Sequence, residues 1–329
     1  MRKLLKVLGI IVLTLVIILS LGIIYFNSSF PKVSPPSDIT VVPSPERIAR
    51  GAYLAKHVAM CIDCHSERDY SKFTAPVIVS TYGKGGELFG EKNMGLPGNL
   101  YAMNITPAGI GKWTDGELLR AFTQGVTKDN KALFPIMPYT HFNTISEEDA
   151  YSIIAYIRTL KPIENKVPAS ELNFLLNMIV KTMPVAAYNP QPVPDKNDPA
   201  AYGKYLVNMA SCSECHTPSV KGEPVKGMEF AGGMEFYLPG GTIRSLNLTP
   251  DNETGIGKWS KQDFINRFKI MSTDSAKNIP VDKYDFNTPM PWTMYAGMTD
   301  EDLGAVYSYL RTLKPVYHKV EKFTPGVKY

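Results

Sequence analysis

Two pentapeptides constrain this chain more than anything else in it: Cys61-Ile62-Asp63-Cys64-His65 and Cys212-Ser213-Glu214-Cys215-His216. They hold all four cysteines of the 329-residue sequence. In the pattern CxxCH, two thiols three residues apart at the end of a helix are placed to form thioethers with the two vinyl groups of one haem, and the adjacent histidine meets the iron. A structural zinc site pooling the four thiols would join pairs separated by about a hundred and fifty residues, far outside ordinary zinc spacing. A thioredoxin-like dithiol needs a βαβ context, which is lacking, and two disulfides leave the histidine after each pair unexplained. The motifs therefore predict two covalently attached haem c groups on Cys61, Cys64, Cys212 and Cys215, with His65 and His216 as proximal iron ligands.

The amino terminus adds a second constraint. From Val7 to Phe26 no residue is charged, and a helix of that length at about 1.5 Å per residue spans about 30 Å, a bilayer's hydrocarbon thickness. Arg2, Lys3 and Lys6 precede it. By the positive-inside rule the terminus stays cytoplasmic and the rest is exported to the periplasm or outer face of a bacterial cytoplasmic membrane, as a single-pass protein. A cleaved signal peptide would have a shorter apolar run and an A-x-A-like end; this run ends Ile24-Tyr25-Phe26-Asn27, so residues 1–27 read as a retained transmembrane anchor. Setting the anchor aside leaves 32 basic against 31 acidic residues. The exported part is near neutral, which argues against nucleic-acid binding and leaves partner docking to local patches.

Residues 28–45 form a Pro/Ser-rich linker, read as an extended stalk holding the first domain off the membrane. Ser44-Pro45 and Asp198-Pro199 each give an N-cap with proline at the first helical position, opening a helix that leads to a CxxCH motif. Gly51 and Gly203 sit early in those helices, where glycine costs about 1 kcal/mol against alanine, so each predicts a close helix contact. Repetition continues: Asn104-Ile105-Thr106-Pro107 with Asn247-Leu248-Thr249-Pro250, Gly109-Ile110-Gly111-Lys112-Trp113 with Gly255-Ile256-Gly257-Lys258-Trp259, and Met137-Pro138-Tyr139 with Met290-Pro291-Trp292. Ser146 and Thr299, followed by acids, then cap a closing helix that stops at Lys161-Pro162 or Lys314-Pro315.

One module thus occurs twice, over 46–165 and 196–317, before a tail at 318–329. The connector 166–195 carries a short amphipathic helix over Glu171 to Met183, expected, given its shortness, to pack between the domains rather than to make a second membrane contact. Without a strand-rich block, the fold class is mostly α: two tandem domains after an amino-terminal transmembrane helix.

A thioether is a common sixth ligand opposite histidine and raises the reduction potential. Met137 and Met290 stand at the same place in each repeat, each before a proline, and are the expected distal ligands. Trp113 and Trp259 are expected beside the haems, where an indole N–H could reach a propionate, or in the core. His141, four residues after Met137, is an alternative ligand, with Met294 as its counterpart; the plainer reading leaves both on the distal loop. His57 and His318 are expected to be solvated or satisfied locally.

The succession of CxxCH after a Gly-aromatic helix, N-[IL]-T-P, G-I-G-K-W, M-P-[YW] and Y-[IL]-R-T-L-K-P resembles class I cytochrome c domains, closest to those of the cytochrome c subunits of membrane-bound alcohol, aldehyde and gluconate dehydrogenases. It covers both modules. The resemblance implies the same haem attachment, proximal and distal residues, and that Tyr156 and Tyr309 on the closing helices meet the Gly51 and Gly203 regions. Those subunits typically carry three haem domains; this chain has two. With both axial positions of each iron filled, electron transfer is expected rather than catalysis. The expected role is a dihaem carrier between a quinol- or dehydrogenase-side donor and an oxidase or soluble acceptor. A catalytic dihaem oxidoreductase such as a peroxidase needs an open iron position, which the two Met-Pro loops oppose. A haem-bearing structural subunit of a respiratory complex is the third reading.

Overall fold

A computed structural model of the chain describes residues 1–90, 96, 98–220 and 222–326. Parts of both expected modules (91–95, 97 and 221) and the end of the expected tail (327–329) lie outside the described residues. Helix α1, Arg2–Ser29, is long and apolar enough to cross a membrane, and none of it is buried against the rest of the protein.

The two halves of the chain carry comparable, though not identical, series of helices. In the first copy α2 (Pro45–Tyr53) leads to the CxxCH helix α3 (Cys61–Cys64); α4 (Pro107–Ile110), α5 (Asp115–Gln124) and α6 (Tyr139–Phe142) follow, and α7 (Glu147–Arg158) closes it. Helix α8 (Phe174–Val180) lies in the connector. In the second copy α9 (Pro199–Met209) leads to α10 (Cys212–His216), then come α11 (Lys261–Lys269), α12 (Asp274–Lys277), α13 (Trp292–Tyr295) and the closing helix α14 (Asp300–Leu310). Ser44, Ser146, Asp198 and Thr299 each accept a backbone N–H at the start of their helices, as the capping pattern predicts.

The opening and closing helices of each copy cross at the glycine. A Cβ on Gly51 would lie 1.8 Å from the Ser152 carbonyl oxygen and 2.9 Å from the Tyr156 Cβ; one on Gly203 would lie 1.9 Å from the Ala305 oxygen. Only hydrogen fits there, so glycine sets the helix spacing in both copies. The expected Tyr156 contact is present, whereas Gly203 presses on backbone one turn before Tyr309.

Among the described residues three small antiparallel sheets supplement the helices, their strands too short to stand out in the sequence. β1 (Leu88–Gly90) pairs with β2 (Gly98–Tyr101), and β2 with β3 (Glu171–Leu172) from the connector, in the register Leu88 to Tyr101 and Gly98 to Leu172. β4 (Ser219–Val220) and β5 (Glu223–Pro224) form a ribbon. β6 (Glu235–Leu238) pairs with β7 (Gly241–Arg244), and β7 with β8 (Phe323–Pro325) from the tail. Each copy thus has a hairpin extended by a strand that follows its closing helix. A continuous buried cluster runs through both copies, from Leu54, Ile62 and Ile153 to Leu206, Met209 and Leu303.

Two expectations are corrected. The linker is extended but is no free stalk: Val41 is buried and its N–H donates to Asp115 Oδ2 at 2.8 Å, Ser34 N–H donates to the Ala186 carbonyl at 2.8 Å, and the Ser37 carbonyl lies against Gly116. Proline-rich chain has few donors of its own, and here the N–H groups of Val41 and Ser34 are satisfied by α5 and the connector. Helix α8, for its part, does not fill the space between the copies. Val180 is buried, but Phe174 and Leu175 are each 69% exposed, and Ile179 is also exposed.

Candidate haem-attachment sites

Each CxxCH helix is launched by a residue in the left-handed region, Met60 at φ 59° and Ser211 at φ 53°. The approach differs by one residue. In the second copy Ala210 N–H bonds to the Leu206 carbonyl, an α-helical step; in the first, the matching Ala59 N–H reaches back one residue further, to Leu54, and Leu54–Val58 forms a π-helical turn. A π turn absorbs a single inserted residue without breaking the helix, so the insertion leaves the cysteines correctly presented.

The histidines are held alike. His65 Nδ1 bonds to the Met103 carbonyl at 2.7 Å and His216 Nδ1 to the Leu246 carbonyl at 2.8 Å. Since a carbonyl only accepts, Nδ1 carries the proton and Nε2 is left with a lone pair, the tautomer a metal ligand needs. Burial pushes the His65 imidazole below the usual histidine range, and the protein packed around the half-buried His216 pushes it the same way, which keeps both neutral. A glycine completes each clamp: Gly85 N–H donates to the His65 carbonyl at 2.8 Å and Gly232 N–H to the His216 carbonyl at 2.7 Å. Both glycines have positive φ and lie so close to the Met103 or Leu246 backbone that a Cβ would come within 2.5 Å.

The sequence reading missed Met103, Leu246, Gly85 and Gly232. Their signal was present, since each carbonyl donor-holder immediately precedes an N-[IL]-T-P segment, and each glycine begins a Gly-Gly pair. The N-x-T-P segment is itself a latch. Asn104 Oδ1 accepts from Thr106 N–H and hydroxyl while its Nδ2 donates to the Ile163 carbonyl at 2.8 Å; Asn247 does the same with Thr249 and the Val316 carbonyl at 2.8 Å. It ties the histidine-holding strand to the chain leaving the closing helix. Arg158 and Arg311, of the R-T-L-K-P segments, bond to the carbonyls of Ile110 and Trp113 or of Ile256 and Gly257.

Met137 and Met290 adopt one backbone motif. Tyr139 N–H bonds to the Met137 carbonyl at 2.7 Å and Trp292 N–H to the Met290 carbonyl at 2.8 Å, around Pro138 at φ −79°, ψ 53° and Pro291 at φ −82°, ψ 62°. These are inverse γ-turns. Proline presets φ, so each turn projects its methionine from a fixed point. Both methionines are half-buried against the common apolar cluster, as are Cys61 and Cys212. Trp113 is buried in that cluster, whereas Trp259 is 37% exposed, so the two tryptophans do not share an environment.

The four cysteines are unbonded. Burial pushes the thiols of Cys61, Cys64 and Cys212 up to about 12. Reactive dithiols and zinc thiolates require the opposite shift. Among the described residues no group of three or more His, Cys, Asp or Glu could hold a metal ion. Paired thiols beside a histidine with a free Nε2, plus a fully buried Tyr139 hydroxyl without a partner two residues past Met137, fit a haem and do not fit zinc.

The remaining histidines have other work. His141 Nε2 faces Glu214 Oε1 at 2.6 Å and its Nδ1 faces Asn208 Oδ1 at 2.9 Å, so neither nitrogen is free. His57 Nδ1 bonds to the Met294 carbonyl at 2.8 Å and His318 Nδ1 to the Ala231 carbonyl at 2.9 Å.

Residues 200–314 match the Cytochrome c family. This part of the chain is therefore a cytochrome c domain, which implies covalently bound haem c. Over most of its length the chain resembles cytochrome subunits of dehydrogenases. It is 31% identical over 282 residues to the fructose dehydrogenase cytochrome subunit of Gluconobacter japonicus, covering 81% of this chain and 52% of that protein. It is 29% identical over 285 residues to the cytochrome c subunit of a quinone alcohol dehydrogenase of Gluconobacter oxydans, covering 82% of this chain and 55% of that protein. The chain thus spans about half the length of these relatives. A diheme c-type cytochrome of Cereibacter sphaeroides is 27% identical over 268 residues, covering 78% of this chain and 82% of that protein.

Proposed function

We propose that this chain is a membrane-anchored dihaem cytochrome c of two tandem class I domains, the electron-transfer subunit of a membrane dehydrogenase at the outer face of the cytoplasmic membrane. Electrons enter from the dehydrogenase or a quinol-oxidising partner and leave to a terminal oxidase or a soluble cytochrome. The observation that carries the reading is the duplicated histidine clamp, in which His65 and His216 present a bare Nε2 beside a cysteine pair. A haem in each site supplies a one-electron couple.

The chain's own residues do the rest. The carbonyls of Met103 and Leu246 fix the imidazole planes and raise the basicity of Nε2. Met137 and Met290, projected by their γ-turns, offer soft sixth ligands that raise the potential and leave no position for substrate. The anchor α1 keeps both domains at the membrane, near a lipid-soluble donor.

Counting haems and titrating them tests the reading. Intact mass and the pyridine haemochrome should give two haems per chain, with a weak far-red sulfur-to-iron absorption in the oxidised protein. Replacing Met137 or Met290 with alanine should lower one potential each. One haem per chain, or a high-spin signal from either, would overturn it.

A further inference from the structure

We propose that α8 is a second membrane contact, an interfacial helix that lays Phe174, Leu175 and Ile179 on the same bilayer that α1 crosses. The inference rests on α1 being a retained anchor.

Two sets of contacts place α8 at that depth. Asn27 is the first polar residue after the apolar run of α1, and its Oδ1 accepts from Lys181 Nζ at the end of α8. A few residues on, Ser34 N–H bonds to the Ala186 carbonyl at 2.8 Å. Gln124, buried at the end of α5, fastens both strands: its Nε2 donates to Ser34 Oγ at 3.0 Å and to the Ala186 carbonyl at 3.1 Å. Even fully extended, the stretch from Asn27 to Ser34 reaches no more than about 25 Å, so α8 cannot leave the membrane surface while these bonds hold.

Its composition fits lipid rather than a protein partner. From Leu172 to Pro194 the only charged side chain is Lys181, positioned to meet lipid phosphate as a snorkelling cation. Phe174, Leu175, Ile179 and Met183 are exposed while Val180 faces inward. Tyr25 and Phe26 of α1 directly precede the Asn27 that Lys181 binds, and aromatic side chains there favour the interface. With α1 it gives two points of attachment, which fix the tilt of the first domain that a lone helix would leave free.

Photolabelling of the full-length holoprotein decides. The protein is reconstituted into phosphatidylcholine vesicles whose acyl chains carry a diazirine, irradiated, digested and mapped by mass spectrometry. Adducts are expected on residues 1–29 and on 174–183. In the variant Phe174→Asp/Leu175→Asp the 174–183 adducts should be lost, with α1 labelling and the haem spectrum unchanged. Adducts on α1 but none on 174–183 overturn the proposal, leave the anchor intact and assign the face to a protein. Absence of adducts on α1 overturns the anchor reading itself. Undiminished 174–183 labelling in the double variant shows that these side chains do not make the contact and also overturns the proposal.

Discussion

The Tyr205 hydroxyl, from the opening helix of the second copy, accepts from Ser146 N–H at 3.0 Å and donates to Asp149 Oδ2 at 2.7 Å at the start of the first copy's closing helix. The reciprocal pair is present: Tyr53 accepts from Thr299 N–H at 3.1 Å and donates to Asp302. In an ordinary capping box the third residue's side chain reaches back to the cap N–H. Here a tyrosine from the other copy bridges that gap, so each closing helix is capped across the interface. The same pseudo-twofold relation links His57 to the Met294 carbonyl at 2.8 Å and Asn208 Nδ2 to the His141 carbonyl at 3.0 Å. Each helix leading to a CxxCH motif is thereby bonded to the loop just past the other copy's methionine, which locks the two candidate haem sites into one rigid unit.

Removing one of these hydroxyls should loosen that unit. Tyr205→Phe leaves the buried Asp149 carboxylate and the Ser146 N–H short of a partner, at a cost on the order of 1–3 kcal/mol. Thermal unfolding of the holoprotein should show a lower Tm, with Tyr53→Phe similar and the double variant near the sum, since the two sites share no partner. An unchanged Tm in both single variants would mean the interface does not depend on the bridges.

A sharper loss is expected from Gly51→Ala or Gly203→Ala. Neither added methyl has room, with backbone oxygens 1.8 and 1.9 Å from the ideal Cβ, so the helices must separate. Overpacking of this kind costs about 1–3 kcal/mol and can exceed it where the clash is with backbone. Expression should yield less of the two-haem form, read by haem content per chain, and whatever matures should melt lower than wild type.

These glycines show what the sequence makes legible. Their cost within a helix announces a close contact, and the paired CxxCH, N-x-T-P and Met-Pro segments announce a duplicated module, because local chemistry forces those residue types. The π turn at Leu54–Val58 is foreshadowed only by a one-residue mismatch between the copies. The tyrosine bridges, the His141 to Glu214 pair and the packed linker depend on contacts between segments far apart in the chain. No periodicity encodes such contacts, and a Pro/Ser-rich stretch reads as a stalk until its acceptors on α5 and the connector are seen. The exposed face of α8 escapes a sequence reading for the same reason: amphipathicity says that a face needs covering, without saying by what.

His141 should make the interface sensitive to pH. Burial disfavours its charged form, but the bonds to Glu214 and then Asn208 outweigh this and hold its pKa above the ordinary 6.5. Asn208 Nδ2 donates to the His141 carbonyl, which leaves Oδ1 to accept, so both ring nitrogens donate and the ring is cationic. A raised folded-state pKa contributes stability that is complete below the unfolded value and is lost as pH rises through the folded one. Burial lowers the pKa of His57, so its contribution has the opposite sign and is lost as pH falls. The Tm should therefore decline from just above pH 6.5 upward, and His141→Gln should remove that decline; a variant that kept it would assign the titration elsewhere.

The two candidate haem sites should differ in potential, and the difference follows from burial. His65 is buried and sits behind a CxxCH helix whose Ile62 and Asp63 are also buried, with Asp63 neutralised by Arg68. No residue of the second CxxCH helix is buried, and Cys215 is exposed. Oxidised haem carries one more positive charge than reduced haem, and a less solvated site stabilises that charge less. The first site should hold its electron more tightly and titrate at the higher potential. Spectroelectrochemical titration should resolve two one-electron waves, Met137→Ala displacing the upper and Met290→Ala the lower. If Met137→Ala moved the lower wave, the Asp63 to Arg68 pair, buried beside the first site, would have to leave enough negative charge there to outweigh burial, and Asp63→Asn should then raise that wave.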